Sequence, residues 1–318
     1  MRAMDHGYNC VGLLEGWKGL VEGRSRPLDL RDVEDIAKLG GTILKTSRTN
    51  PFKRDGAVDK CLANLKKLQI DALIAMGGED TLGVATRLHA EHKVHVVGVP
   101  KTMDNDLSST DFTFGFDTAT TIAVDAAERL KDTGASHSRI MVLEVMGRHA
   151  GWVALYTGIA SAADWILIPE EKPDLEKMCE HLKVAHARKG VALVVASEGA
   201  SLPSHETAKE EKDDFGHMLL KERAVGEELA KIIESKTKIE TRSASIGHIQ
   251  RGGSPTLFDR ILGLRVGVAA ADLVASGDWG KMVALRGTEV VPVSLKDATG
   301  TLKTVSKAWI QLAQVFWK

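Results

Sequence analysis

Two short stretches of this chain concentrate residues that could act on a phosphate group. Residues 77–81 read G-G-E-D-T, and residues 100–106 read P-K-T-M-D-N-D. Backbone amides at a helix start bind anions, and clustered carboxylates bind a divalent cation or accept a proton. The glycine stretch alone is equally typical of a simple turn, but the two stretches together indicate phosphoryl transfer.

Each stretch follows an apolar run that has the length and branched side chains of a buried parallel strand. The runs cover residues 72–76 and 94–99, and residues 81–92 between them have the pattern of a crossover helix. Because the carboxyl ends of parallel strands open into one crevice, we expect both stretches to line the same site. The second stretch would contribute Lys101, Thr102, Asp104 and Asp106.

The rest of the chain alternates between strand and helix patterns, and 318 residues exceed one small core. This predicts an α/β fold with two domains, each a mostly parallel sheet flanked by helices. The charged run 204–214 is typical of a solvated loop. We predict further helices over 28–39, 58–68, 118–132, 151–163, 174–188, 225–235, 259–275 and 306–317, and further strands over 8–14, 40–44, 139–145, 165–168, 190–196, 239–246, 283–285 and 290–293.

Composition restricts the classes of partner. A net charge of -1 and a pI near 6.8 argue against nucleic acid or a membrane surface as the main partner. No apolar run approaches the ~20 residues of a membrane span, and the start of the chain lacks a signal-peptide core. The three cysteines have no metal-binding spacing, which favours reduced thiols. These features predict a cytoplasmic protein.

Basic side chains recur at the ends of the later predicted strands. Guanidinium groups match the geometry of phosphate, and several of them exceed what a neutral substrate needs, although each one singly is more often part of a surface ion pair. Arg48, in the basic loop 45–54, is a further candidate for a phosphate contact, and a solvated surface arginine is an equally good interpretation of it. The strand-end set, with one acid, is Arg139, Arg148, Glu198, Arg242, His248 and Arg251.

These motifs resemble the 6-phosphofructokinase family over almost the whole chain, most closely its pyrophosphate-dependent and mixed-substrate bacterial members. The first motif alone is similar to those of NAD kinases and diacylglycerol kinases, whereas P-K-T-M-D-N-D together with G-H-I-Q-R-G-G is specific. The resemblance implies magnesium-dependent phosphorylation of fructose 6-phosphate at C1, a glycolytic step that is nearly reversible with pyrophosphate. The matching motifs are G-G-E-D-T, P-K-T-M-D-N-D, D-F-T-F-G-F-D-T-A, S-H-S-R-I, V-M-G-R-H-A-G and G-H-I-Q-R-G-G-S-P.

The resemblance also implies a role for each motif residue. Asp104 would be the general base for the C1 hydroxyl, with Thr102 and Arg148 completing the catalytic set. Thr102 and Asp106 would help to bind the reacting groups and Mg²⁺. Glu79 stands where the family usually has a magnesium aspartate, so its metal contact could be direct or through water. Sugar and phosphate contacts would come from Met146, Gly147, Arg148, Glu198, His248 and Arg251, with Arg139 and Arg242 offered by a neighbouring subunit of a homodimer or homotetramer with shared active sites.

The phosphoryl donor depends on two positions in this resemblance. ATP-using relatives usually have glycine where this chain has Asp80 and Lys101, the pair that is seen in pyrophosphate-using relatives. A carboxylate near the α-phosphate of ATP would repel it by roughly 4 kcal/mol at ~4 Å and an effective dielectric of ~20. We therefore predict pyrophosphate as the donor, with ATP as the alternative. The donor site would comprise Gly77, Gly78, Asp80, Thr81, Lys101 and Arg48, beside Glu79.

One part of the family pattern is not found in this chain. Relatives begin with a strand and a G-G-D-x-x-G-x-N loop, and Met1 falls near the start of their second strand. We expect this first strand and loop to be missing, either through a truncated or misassigned start or in a degenerate relative that binds sugar phosphate without catalysis. The genomic sequence upstream of Met1 would distinguish the two. We predict a donor and Mg²⁺ domain over 1–115 and 250–300, and a fructose 6-phosphate domain over 116–249 and 301–318.

Overall fold

The computed structural model describes residues 1–203 and 224–315. The predicted loop 204–214 and the end of the predicted helix 306–317 therefore lie outside the described residues. The strands are β1 (Cys10–Leu13), β2 (Ser25–Leu28), β3 (Leu73–Gly77), β4 (Val96–Thr102), β5 (Phe114–Gly115), β6 (Ile140–Val145), β7 (Trp165–Leu167), β8 (Ala192–Ser197), β9 (Thr241–Ser245), β10 (Lys281–Arg286) and β11 (Glu289–Ser294). The helices are α1 (Arg2–Asp5), α2 (Trp17–Glu22), α3 (Leu30–Val33), α4 (Ala57–Lys67), α5 (Glu79–His92), α6 (Phe116–His137), α7 (Trp152–Ala160), α8 (Leu175–Lys189), α9 (Val225–Thr237), α10 (Leu257–Ser276), α11 (Leu295–Gly300) and α12 (Lys307–Val315).

The strands form two mostly parallel sheets and one small antiparallel sheet of β1 and β2. The first sheet has the order β11-β10-β4-β3, and β5 pairs with the end of β4. Its pairs are parallel except for the hairpin of β10 with β11. The second sheet has the order β7-β8-β6-β9 and is parallel throughout. Helices pack on these sheets, so the predicted α/β class with two parallel sheets is confirmed.

The crossover helix α5 shows how this sequence builds the first sheet. It starts directly after Gly78 and ends where Lys93 adopts a left-handed conformation. Its buried face, which includes Leu82, Ala85 and Leu88, packs against the apolar side chains of β3 and β4. The helix begins two residues earlier than predicted, so Glu79 and Asp80 lie in its first turn rather than in a loop. That position favours carboxylates, because the helix dipole is positive there.

Two predictions near the start of the chain are wrong. The helix predicted over 28–39 is only the single turn α3, which has a capping box at Asp29, and residues 40–44 form no strand. Leu39 and Ile43 are exposed, so this segment has no apolar face to bury. Gly41 adds a left-handed residue that interrupts regular structure.

The predicted domain bounds divide the strands cleanly between the sheets, but they stay a prediction. All strands of the first sheet fall within 1–115 and 250–300, and all strands of the second fall within 116–249. Among the described residues, no helix combines the length and apolar character that a membrane span requires.

Candidate active site

The loops after β3 and β4 lie side by side, as the sequence predicts. β3 and β4 are parallel neighbours, with Gly77 opposite Pro100. A Cβ atom on Gly77 would lie 2.4 Å from Cβ of Thr81, and one on Gly78 would lie 3.3 Å from Cβ of Thr102. Glycine therefore lets the start of α5 approach both its own first turn and the end of β4. The turn is a tight junction that holds the helix N-terminus beside the second loop.

Two acids follow β4, of which Asp104 is buried and Asp106 is half-buried. Asp104 is 8% exposed, and its backbone N–H donates to Oγ1 of Thr102 at 3.1 Å. Within the described part of the chain, Oδ1 of Asp104 and Oδ1 of Asp106 are buried and accept no hydrogen bond. Carboxylate oxygens that are buried without a partner are costly, so these two atoms are suited to a cation or a hydrogen-bond donor.

Burial sets the protonation of this pair. It raises the pKa of Asp104, and the nearby cations of Arg148 and Arg251 oppose that rise. The pKa of Asp106 is raised to about 7, first by burial and then by the charges of Asp104 and Glu79. Three acids therefore crowd one end of the first sheet, where they would favour a cation.

The second sheet presents its own strand-end loop, which follows β6. Arg148 has a left-handed backbone (φ 49), and the N–H groups of Gly147 and Arg148 both donate to Oε1 of Glu198, at 3.4 and 3.3 Å. A Cβ on Gly199 would lie 1.8 Å from the carbonyl oxygen of Arg148, so only glycine fits there. Burial raises the pKa of Glu198, and the two backbone donors oppose this. The loops after β6 and β8 are thus one packed unit.

An ion pair joins the two sheets across the site. Nη1 of Arg148 lies 3.5 Å from Oδ2 of Asp80, and both side chains are about one-quarter exposed. The pairing places the predicted donor-selecting acid beside the predicted catalytic arginine. Spacing alone could not reveal this contact, because the two residues belong to different sheets.

The short 3₁₀ segment Gly247–Arg251 follows β9 and faces the same region. The charge of Arg251 lowers the pKa of both Asp104 and Lys101, which shows that the three groups are near one another. The pKa of Lys101 is lowered chiefly because surrounding protein removes water from the amine, although part of its side chain is exposed. His248 is exposed in the same segment.

Gln250 is a site residue that the sequence reasoning did not single out. It is buried, its Oε1 accepts the N–H of Met146 at 2.8 Å, and its Nε2 donates to the carbonyl of Ala119 in α6 at 3.4 Å. It thereby fixes the 3₁₀ segment to the loop after β6. The only sign of it in the sequence was its position inside the motif G-H-I-Q-R-G-G.

Arg139 and Arg242 are not brought to this site within the chain. Arg139 precedes β6, whose six residues span roughly 20 Å and end at the Met146 loop. Arg139 pairs with Glu240 at 2.8 Å, and Arg242 pairs with Glu240 and lies 3.7 Å from Glu234. Their contact with a neighbouring subunit's site stays a prediction.

The remaining predicted contacts concern the donor and the metal. Arg48 is exposed on the loop before the short 3₁₀ segment Pro51–Lys53, and its role stays a prediction. In the described residues, no group of three or more His, Cys, Asp or Glu side chains is arranged to hold a metal by itself. Magnesium usually takes one or two carboxylates plus substrate phosphates, so the unpartnered oxygen of Asp106 near Glu79 fits that ion.

The chain is thus an α/β protein of two mostly parallel sheets, and strand-end loops of both sheets bring acids and arginines together. The family model described as Phosphofructokinase matches residues 1–274. A protein of Dictyoglomus thermophilum named pyrophosphate--fructose 6-phosphate 1-phosphotransferase is 49% identical over 100% of this chain and 92% of its own length. The chain therefore belongs to the phosphofructokinase family.

Some relatives are named for pyrophosphate and others for ATP as the phosphoryl donor. The ATP-dependent 6-phosphofructokinase 3 of Streptomyces coelicolor is 44% identical, over 96% of this chain and 89% of that protein. Among solved structures, phosphofructokinase from Saccharomyces cerevisiae superposes with a TM-score of 0.80 at 28% identity. That match covers 99% of this chain and 43% of the yeast chain, so this chain spans less than half of the yeast chain.

Proposed function

We propose that this protein transfers a phosphoryl group from pyrophosphate to the C1 hydroxyl of fructose 6-phosphate, giving fructose 1,6-bisphosphate and phosphate. The observation that carries the proposal is the buried Asp104, whose Oδ1 lacks a hydrogen-bond partner in the described residues and whose carboxyl group lies near the cations of Arg148 and Arg251. A base and two cations in one cleft suit the deprotonation of a hydroxyl and the stabilisation of a transferring phosphoryl group. The relatives at 49–50% identity that bear the pyrophosphate name support the choice of reaction.

Residues at the strand ends of both sheets have separate roles in this reaction. Asp104 takes the proton of the C1 hydroxyl, and Thr102 orients the reacting groups. Arg148, with Met146 and Gly147 of the same loop, holds the sugar and the moving phosphoryl group. Glu198 binds sugar hydroxyls while it accepts the N–H groups of that loop. The 6-phosphate is bound by His248 and Arg251, with Arg139 and Arg242 from a neighbouring subunit.

Mg²⁺ completes the donor side of this proposal. Asp106 and Glu79, directly or through water, would hold it together with the donor's phosphate oxygens. When bound, it neutralises charge on the donor and polarises the transferred group. Gly77, Gly78 and Thr81 offer the helix N-terminus to the same anion, and Arg48 is a further contact.

Pyrophosphate is favoured over ATP because of charge at two neighbouring positions. Asp80 lies in the first turn of α5, and Lys101 lies near the end of β4, so their charges act on one bound donor. The carboxylate disfavours the additional phosphate of ATP, whereas the amine adds a cation for a compact, highly charged anion. The ion pair of Asp80 with Arg148 reduces that repulsion without removing it.

The test compares donors on the full chain at fixed Mg²⁺. Fructose 1,6-bisphosphate formation is followed with pyrophosphate and with ATP, and the reverse reaction is followed with phosphate. We expect kcat/KM for pyrophosphate to exceed that for ATP by at least ~10-fold. A preference for ATP would show that ATP, and not pyrophosphate, is the donor. Binding of fructose 6-phosphate without turnover of either donor would support the alternative of a degenerate relative that binds sugar phosphate without catalysis.

A further inference from the structure

Lys303 is a half-buried lysine near the far end of the chain, and none of the catalytic motifs includes it. Its Nζ donates to Oδ1 of Asn105 at 2.9 Å and to the carbonyl oxygens of Thr110 and Asp111 at 3.0 Å each. An ammonium group has three donors, so these contacts use all of them. The ring of Trp152 lies 5.5 Å from the same nitrogen, within the range of a cation–π contact.

Asn105 is the residue between the two acids of the site. It is 2% exposed and has a left-handed backbone (φ 52), a conformation that must be stabilised from outside. Its Oδ1 also accepts the N–H of Thr113 at 3.1 Å, and its Nδ2 donates to the carbonyl of Asp111 at 3.4 Å. The Asn105 side chain therefore closes the loop that carries Asp104 and Asp106, and Lys303 supplies its charged contact.

The backbone around Lys303 makes a second connection to that loop. Its N–H donates to the carbonyl of Asp106 at 2.8 Å, and Leu302 forms an antiparallel bridge with Leu107. On the other side, Nε1 of Trp152 donates to the carbonyl of Lys303 at 2.8 Å. Residues 301–305 thus lie between the acid loop of the first sheet and the start of α7.

Glu170 extends this connection to the arginine loop. Its Oε1 accepts the N–H of Val305 at 2.9 Å and the N–H of Gly151 at 2.9 Å. Gly151 caps α7, which follows the loop of Arg148. Residues 301–305 therefore contact the loop that carries Asp104. Through Glu170 they are also connected to Gly151, which follows the loop that carries Arg148.

We propose that Lys303 is a positioning residue for phosphoryl transfer, which acts through Asn105 on the geometry of the loop 104–106. The proposal rests on the proposed function, since it assumes that Asp104 is the base. Burial lowers the pKa of Lys303 to about 8, against the opposing charges of Asp106 and Asp111. The half-buried ammonium group donates to three oxygen atoms of residues 105–111, so its contacts converge on the loop that follows the two acids.

The first experiment is Lys303→Met in the full chain. A displacement of ~1 Å of a catalytic group can cost about 10²-fold in rate, so we expect kcat with pyrophosphate to fall roughly 10–100-fold. KM for fructose 6-phosphate should change less than about 3-fold, because His248 and Arg251 lie on a segment that Lys303 does not contact. The matched control is Lys296→Met, which removes an exposed lysine from α11 and should leave both constants unchanged.

Two further variants separate positioning from folding. Lys303→Ala should regain part of its kcat when a small primary alkylamine is added, whereas sodium chloride at the same ionic strength should not restore it. The double variant Asn105→Ala/Lys303→Met should show a smaller fold-decrease in kcat than the product of the decreases in the two single variants, because both changes affect one contact. Thermal unfolding of each variant shows whether it is folded at the assay temperature.

The outcomes distinguish this proposal from the proposed function. A wild-type chain that turns over neither donor defeats the function itself. An active wild type in which Lys303→Met keeps its kcat within 2-fold overturns the role of Lys303. If Lys303→Met does not fold, the alanine variant with and without amine decides, and a lack of recovery in folded protein overturns the proposal.

Discussion

At the scale of single residues, the proposed base Asp104 shows how its surroundings change the pKa of an ordinary carboxyl group. Burial raises its pKa, so the carboxylate holds a proton more tightly than a surface aspartate would. The charges of Arg148 and Arg251 oppose that rise. A base works best when its pKa approaches the working pH, and this balance moves Asp104 in that direction.

Replacing the base tests its role directly. Asp104→Asn keeps the size of the side chain but cannot accept the hydroxyl proton, so kcat should fall about 10²–10⁴-fold. KM for fructose 6-phosphate should change little, because other residues bind the 6-phosphate. Steady-state kinetics with the Asp125→Asn variant, an exposed acid on α6, provides the control. Turnover within 3-fold of wild type would remove Asp104 from the catalytic set.

The proposed basis of donor choice also lies in single residues, Asp80 and Lys101. Asp80→Gly should raise kcat/KM for ATP by about 10–100-fold, less than the roughly 1000-fold limit of the bare charge repulsion, because Arg148 already neutralises part of Asp80. Lys101→Gly should mainly lower kcat/KM for pyrophosphate, since it removes a cation near a small anion. The two changes need not add.

The measurement is kcat/KM for both donors in wild type, in each single variant and in the double variant. Lys93→Gly is the control for the loss of a lysine, because Lys93 lies at the far end of α5 in a conformation that glycine adopts easily. If Asp80→Gly leaves ATP use unchanged, the charge argument is wrong.

At the scale of elements, the sequence predicted what strong apolar periodicity determines. β3, α5 and β4 were found nearly where expected, because each buries a continuous apolar face. The helix start was misplaced by two residues, since Gly78 gives no side-chain cap that a pattern could reveal. The helix over 28–39 was wrong because its apolar positions have no sheet to pack against, and no local pattern reports that.

The junction of β3 and α5 can be tested with two glycines that lie six residues apart. Gly77→Ala would place a Cβ 2.4 Å from Thr81, so the turn must shift, which should lower both Tm and kcat with pyrophosphate. Gly83, inside α5, has nothing within 4 Å of its added Cβ. Gly83→Ala should therefore stabilise the protein by up to about 1 kcal/mol through helix propensity. Equal Tm values for the two variants would show that the junction tolerates a side chain.

At the scale of the whole molecule, contacts between distant segments connect the elements of the two sheets. Thr118 lies in the first turn of α6. Its N–H and its hydroxyl both donate to Oδ2 of Asp259 in α10, at 2.8 and 2.5 Å. The pairs Asp80–Arg148 and Lys303–Asn105 likewise join residues far apart in the chain. The sequence placed the motifs at strand ends, but periodicity carries no information on which distant side chains meet.

Arg242 provides the prediction that belongs to the assembly. It lies about one strand length from the Met146 loop and is bound to Glu240 within its own chain. If it reaches the 6-phosphate of a neighbouring subunit, Arg242→Ala should raise KM for fructose 6-phosphate about 10-fold or more, since a charged hydrogen bond is worth ~1.5–3 kcal/mol. Arg129→Ala, an exposed arginine of α6, should leave KM unchanged.

Mixing two impaired variants decides where Arg242 acts. In an oligomer of Arg242→Ala and Asp104→Ser subunits, one shared site would receive an intact base from the first subunit and an intact arginine from the second. Co-expressed and co-purified mixtures should therefore regain up to roughly one-quarter to one-half of wild-type activity at subsaturating fructose 6-phosphate, as expected when interfaces between subunits combine their sites. Each variant alone should stay near its own low rate. If mixed oligomers, verified by two affinity tags, show no more activity than the average of the parents, Arg242 acts within its own chain or has no part in binding the sugar phosphate.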